Sequence, residues 1–147
     1  VIEMRRTVHI ARPQPQLYDY LANLNNVAEY IGPVQRFHRW STTELEVGTR
    51  VTVDVQFLGI TFSQRAECYE HTRPLNFAAR SVGGRFFFEA GFDLKTEGPN
   101  TVLDGWGRAQ APRLFGLAEP ILGFFIERQI DGDLKRLKRR LEAGEVG

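Results

Sequence analysis

The sequence predicts an α+β fold in which a curved antiparallel sheet of six to seven strands wraps around one long C-terminal helix, with two short helices after the first strand. Period-two alternation dominates residues 34–110, and turn residues punctuate it at hairpin spacing. At Pro112 the pattern changes to a helical one that runs to about Glu142. A chain of 147 residues has the length of one domain, here residues 1–147, and can bury about two thirds of its unfolded surface.

Residues 3–11 read as a strand with Met4, Val8 and Ile10 on one face, interrupted by Arg6 and ended by Arg12, Pro13 and Pro15. Leu17, Tyr20, Leu21 and Leu24 then fall at helical spacing, with Pro15 tolerated in the first turn. Asn26 is placed to cap a second short helix that stops before Gly32 and Pro33. Further strands are expected near 34–41, 49–58, 61–73, 76–82, 85–96 and 101–110. The separators, among them Leu58-Gly59 and Gly83-Gly84, are short enough for a meander of hairpins.

Two strands alternate cleanly. Val51, Val53, Val55 and Phe57 share one face, against Thr52, Asp54 and Gln56. Phe86, Phe88, Phe92 and Leu94 share another, which leaves Phe87 on the polar side. In the C-terminal segment Leu122, Ile126, Ile130, Leu134, Leu137 and Leu141 form one stripe. The preceding half, from Leu114 to Ile126, is apolar nearly all round and should be covered on more than one side. Pro120 either starts the long helix or kinks it.

The totals exclude several functions. Nineteen Lys and Arg against eighteen Asp and Glu leave a net charge of +1, so no global field selects nucleic acid as a partner. Lys135, Arg136, Lys138, Arg139 and Arg140 cluster near the end of the last helix, where cations complement the helix dipole, with binding of an anionic headgroup or nucleic acid as the alternative. The sole cysteine, Cys68, excludes an internal disulfide and fits a reducing, cytoplasmic setting. The first residues lack the apolar core of a signal peptide, and Ile121 to Ile126 falls far short of the roughly 20 residues of a membrane span. His9, His38 and His71 show no ligand-spaced pairing, so neither a metal nor another cofactor is expected. No nucleophile motif surrounds a serine or Cys68.

The order of strand, two short helices, six strands and long C-terminal helix resembles the helix-grip fold of the START-like superfamily, in its polyketide cyclase and dehydrase-like branch. Residues 10–21, Ile-Ala-Arg-Pro-Gln-Pro-Gln-Leu-Tyr-Asp-Tyr-Leu, look like that family's opening strand, proline turn and first helix. Leu117 to Leu122, with Gln129, Asp133-Leu134 and Leu137 to Glu142, is similar to the final helix of many bacterial members. The turn at Gly48 lacks the glycine-rich loop of the plant Bet v 1-like branch. The resemblance implies a cavity between the concave sheet and the long helix, entered near that helix's N-terminal half.

The cavity candidates are Val53, Val55, Phe57, Phe62, Phe77, Phe86, Phe88, Phe92, Trp106, Phe115, Ile121, Leu122 and Phe125. All lie in apolar rows, as ordinary core residues also would, but Gly59, Ala66, Ala79 and Ala90 on the same rows leave room beside the rings. Trp40 and Trp106 suit an apolar wall with one polar handle. Gly105 and Gly107, flanking Trp106, mark a bend or a close approach, most simply by the long helix crossing above. His38, Gln64, Asp104 and Arg108 are the polar groups that would reach the cavity if their rows point inward, with Asp104, Trp106 and Arg108 on one face. Slipped parity would turn Arg6, Gln64, Glu70, Asp104 and Arg108 to water instead.

The leading expectation is a binding or transport protein for a small hydrophobic molecule, with residues 112–125 as its gate and no catalysis of its own. One alternative is a cyclase- or dehydrase-like enzyme with a polar pair deep in the cavity. Another is a homodimeric or partner-docking module using the apolar helix half.

Overall fold

The computed structural model describes residues 1–39, 45–110 and 112–144, and the backbone alone for 37–39, 112 and 113. The strands are β1 (Ile2–Ile10), β2 (Val34–Arg39), β3 (Arg50–Phe57), β4 (Ile60–Thr72), β5 (Asn76–Ser81), β6 (Phe87–Glu97) and β7 (Asn100–Gln110). Helices α1 (Gln14–Ala22) and α2 (Val27–Tyr30), joined by a 3-10 turn, follow β1, and α3 (Pro112–Phe115) and α4 (Glu119–Glu142) close the chain. The seven strands form one curved antiparallel sheet in the order β1-β7-β6-β5-β4-β3-β2. The strand that begins the chain thus pairs with the one that ends the meander, as expected of a half-barrel gripping a helix.

Register fixes which rows face the helix. Val8 opposes Leu103, which opposes Leu94, so these belong to one face, and Leu103 and Leu94 pack with Ile10, Leu137 and Leu141 in the main core. Leu17, Tyr18, Leu21 and Tyr30 complete this cluster from α1 and α2. Gln14 ties α1 to the sheet, donating to the carbonyls of Pro74 (2.7 Å) and Leu94 (3.3 Å) and accepting from the Thr96 hydroxyl (2.6 Å). The result is a densely packed pole beneath α1 and the C-terminal half of α4.

Local details depart from expectation in three places. Asn26 does not cap α2; its side chain donates to the Tyr20 carbonyl, and Asn23 instead accepts from the Asn25 amide at 3.0 Å. An Asn one residue before a 3-10 turn satisfies an orphan N–H earlier than a simple helix reading anticipates. Residues 112–142 are not one helix: Gly116, at φ +65°, breaks it, and α4 starts at Glu119 with Pro120 in the first turn, where no donor is missed. The register of β4 with β5 shifts between Cys68 and Glu70, so parity changes there.

Candidate functional site

The pole opposite the main core is made of phenylalanine. Phe115, at the end of α3, meets Phe57 edge-on at 5.6 Å between centroids, and Phe62 and Phe86 at 6.0 and 6.4 Å. Phe62 contacts Phe86, and Phe86 stacks on Phe88. Period-two alternation on β3, β4 and β6 brings these rings to one side, since Phe62 opposes Val55 and Ile60 opposes Phe57. A second cluster, Tyr18, Phe77, Phe92 and Tyr30, belongs to the main core.

Between the two clusters the inner face is lined with small residues. Gly105, Gly107 and Ala109 share Leu103's face on β7, and register sets them against Phe92, Ala90 and Phe88 of β6. A side chain added at Gly107 would find only the Glu89 carbonyl at 3.6 Å and the Ala90 methyl at 3.7 Å within 4 Å, among the described residues. The long helix therefore does not press on these glycines, contrary to the expected close approach. Sheet curvature holds α4 off the floor, and Phe77, Ala79, Phe88, Ala90 and Phe92, all facing inward, remain only half-buried.

Helix α4 is held by ion pairs to β1, with clefts beside its first turns and beside the β3–β4 turn. Along β1, Arg6 faces inward and its Nε donates to Asp131 at 2.7 Å, while its Nη2 lies 3.4 Å from Glu127. Those carboxylates hold the guanidinium charged, raising its pKa, with the Asp131 hydrogen bond first. Along β3, by contrast, a cleft of about 450 Å³ runs between sheet and helix. Its walls are Phe57, Leu58 and Phe125 on the apolar side and Arg128, Gln129, Gly132, Asp133, Arg136 and Arg139 of α4 on the other. Leu58, at φ +53°, forms the β3–β4 turn with Gly59 at φ +79°, the left-handed pair that a two-residue hairpin loop requires.

Several proposed residues sit elsewhere. Asp104, Trp106 and Arg108 do share a face, but it is the convex one, which corrects the reading that sent them toward the cavity. The Thr7 hydroxyl donates to Asp104, Arg108 lies 3.3 Å from Glu3, and Trp106 packs over Gly91 beside Ala78. Past Leu103 the inner row of β7 is only glycine and alanine, so Trp106 was the sole large ring by which to judge the strand's direction. Gln64 points inward and is buried, yet its amide is engaged by the carbonyls of Arg65 and Gly83 and secures the turn after β5. His38 pairs in register with Thr52, its side chain outside the described residues, as is Trp40.

Val53 is buried and Val55 half-buried on the inner face; Leu122 is fully buried. The first turns of α4 are less covered than their composition predicts, with Ile121 50% exposed and Phe125 37%. These side chains stand at the rim rather than on the inner wall. Phe87 is exposed on the convex side, as its parity requires.

Titratable chemistry inside is sparse. The Tyr18 hydroxyl contacts His71 Nδ1 and donates to the Asn76 carbonyl at 3.0 Å, and burial pushes its pKa well up. Cys68 is buried with its thiol on the Glu70 carbonyl at 3.3 Å, and desolvation raises its pKa, which suppresses thiolate chemistry. Among the described residues no group of acidic, His and Cys side chains is arranged to hold a metal, and no helix is long and apolar enough to cross a membrane.

A curved seven-stranded sheet gripping a C-terminal helix, with an apolar and incompletely covered inner face, defines a START-like helix-grip protein. The chain belongs to the family described as polyketide cyclase/dehydrase and lipid transport, whose model matches residues 1–142. Among solved structures it is similar to a protein from Thermus thermophilus, 19% identical, with a TM-score of 0.79 over 98% of this chain and 99% of that one. A START superfamily protein from Mycobacterium smegmatis gives 14% identity and a TM-score of 0.76, covering 96% and 97% of the two chains. An aromatase/cyclase from Streptomyces gives 17% and 0.68, covering 97% and 96%. At these identities the likeness shows a shared fold. No curated protein matches the sequence significantly.

Proposed function

We propose that residues 1–147 form one ligand-binding domain that carries a small hydrophobic molecule between the inner face of β5–β7 and helix α4. The observation that carries this reading is the floor at Gly107, where, among the described residues, nothing beyond two sheet atoms lies within 4 Å of an added methyl while large rings stand on either side. Apolar surface left half-covered beneath a helix gains free energy from an apolar guest, at about 25 cal/mol per Å² removed from water. Phe115, on the short α3 before the Gly116 break, acts as a hinged plug over the Phe57, Phe62 and Phe86 rings.

The cyclase-like alternative has one candidate proton-transfer pair, Tyr18 and His71. Tyr18 is 1% exposed and already bonded to Asn76, a poor position for meeting a substrate. Carriage accounts for the apolar inner wall with fewer assumptions.

Titration with a neutral fluorescent probe, phenylnaphthylamine, tests the proposal. Saturable binding at one probe per chain is expected, lost in Gly107→Leu, which fills the floor while keeping the melting temperature within a few degrees. Absence of saturable binding, or unchanged binding to a folded Gly107→Leu protein, overturns it.

A further inference from the structure

The cleft beside the β3–β4 turn differs chemically from the floor at Gly107. Phe57 and Phe125 stand at its apolar wall, and Phe57 belongs to the phenylalanine pole, so apolar surface runs from the interior to the mouth. The α4 wall carries Arg128, Arg136 and Arg139 against a single carboxylate, Asp133. That carboxylate is already engaged: it accepts from the Gly32 amide at 3.2 Å, Gln129 at 2.9 Å and Arg136 at 3.0 Å. The side chains of Arg128 and Arg139 have no ion pair or hydrogen bond among the described residues.

Gly132 lies one helical turn from both Arg128 and Arg136, about 6 Å along the axis in each direction. A Cβ at Gly132 would meet nothing within 4 Å, so the helix has an open notch between two guanidinium groups. A third, Arg139, lies on the next turn. A neutral cargo needs no such arrangement. Two unpartnered guanidiniums beside an apolar wall complement a molecule with a hydrophobic body and an anionic end, because Arg offers paired donors to carboxylate or phosphate oxygens.

We infer that the ligand is an anionic amphiphile whose carboxylate or phosphate head sits over Gly132 between Arg128, Arg136 and Arg139, with its tail running past Phe57 and Phe125 into the interior. This rests on the carrier reading above. The cleft's volume of about 450 Å³ suits one small chain molecule. The head pairs in the open cleft and the tail is desolvated behind it, so head and tail contribute separately.

The test compares matched probes on the intact chain: laurate, dodecyl phosphate and uncharged dodecanol, each below its micelle concentration, by isothermal titration and by displacement of phenylnaphthylamine. The expected result is at least about tenfold tighter binding of one or both anions than of dodecanol, falling steeply with added salt. The doubly substituted Arg128→Gln/Arg139→Gln protein should bring the ratio near one, and Lys95→Gln, on the convex face, should leave it unchanged. Gly132→Glu gives a second check, because it improves helix propensity yet places a like charge in the notch, and it should reverse the preference. Preference for laurate alone points to a fatty-acid-like head, and for dodecyl phosphate alone to a phospholipid-like one. Equal binding of all three, with the neutral probe still bound, overturns the headgroup inference and leaves the carrier reading standing. Failure of every probe, the neutral one included, removes the carrier reading itself.

Discussion

At the scale of single residues, packing makes two glycines of the same hairpin behave in opposite ways. A methyl at Gly91 would sit 2.7 Å from the Phe77 carbonyl and 2.9 Å from both Ala78 and the Trp106 ring, so backbone must move. Gly91→Ala is expected to cost about 3 kcal/mol, measured by urea denaturation. Gly107→Ala meets only ordinary contacts and should be neutral to about 1 kcal/mol stabilising, since alanine loses less backbone entropy in a strand. Equal effects would mean that Trp106 does not pack where described. This pair also marks what alternation could and could not tell. Val53, Phe57, Phe88 and Phe92 have polar neighbours on the opposite face, so their direction was readable. In β7 the inner row is Thr101, Leu103, Gly105, Gly107 and Ala109, too small to signal burial, and Trp106 drew the reading to the wrong face. The polar company of Trp106, namely Asp104, Arg108 and Gln110, was the available clue.

At the scale of elements, strand positions were legible because hairpin turns punctuate them, and Pro120 marked the start of α4 as one of two alternatives, the other a kink, because composition stays apolar across Gly116. What α4 does to stay in place is electrostatic as well as apolar. Glu142 in its last turn accepts from Lys138 at 2.9 Å and from the Ala11 amide at 2.8 Å, tying the helix end to the turn after β1. These donors, Lys138 first, hold its carboxyl below the usual range. A depressed folded pKa means the contribution is fully present above the unfolded value of about 4.3 and is lost as pH falls through the folded one. Glu142→Gln should therefore lower stability by about 1 kcal/mol at neutral pH, a value kept small by solvent exposure. The gap between wild type and variant should close as acid is added below about pH 4. Thermal melts across that range check it, and a gap that persists undiminished at about pH 3 would assign the loss to packing instead.

At the scale of the whole molecule, α4 is held differently against β1 and against the β3–β4 turn. Ion pairs from Arg6 to Asp131 and Glu127 fasten α4 to β1, whereas a cleft separates it from β3, with Phe115 resting between. The proposed ligand path leads past Leu58 and Phe125, where the cleft of about 450 Å³ lies. Strands β3 and β4 and the residue before β6 supply the rings under the plug, and the dense pole beneath α1 has no part in it. Local opening should follow this division, because amides under few apolar contacts exchange at lower free-energy cost. Native-state hydrogen exchange should find β1, β7 and the C-terminal half of α4 slow, and α3, the start of α4 and the β3–β4 turn fast. A bound apolar ligand at about a hundred times its Kd adds about 2.7 kcal/mol to global stability. Its added protection should be largest at the fast set, since the ligand must be released through those segments. Uniform protection across both edges, or greater protection along β1, would mean that the molecule opens elsewhere and that the cleft at β3 is not its mouth.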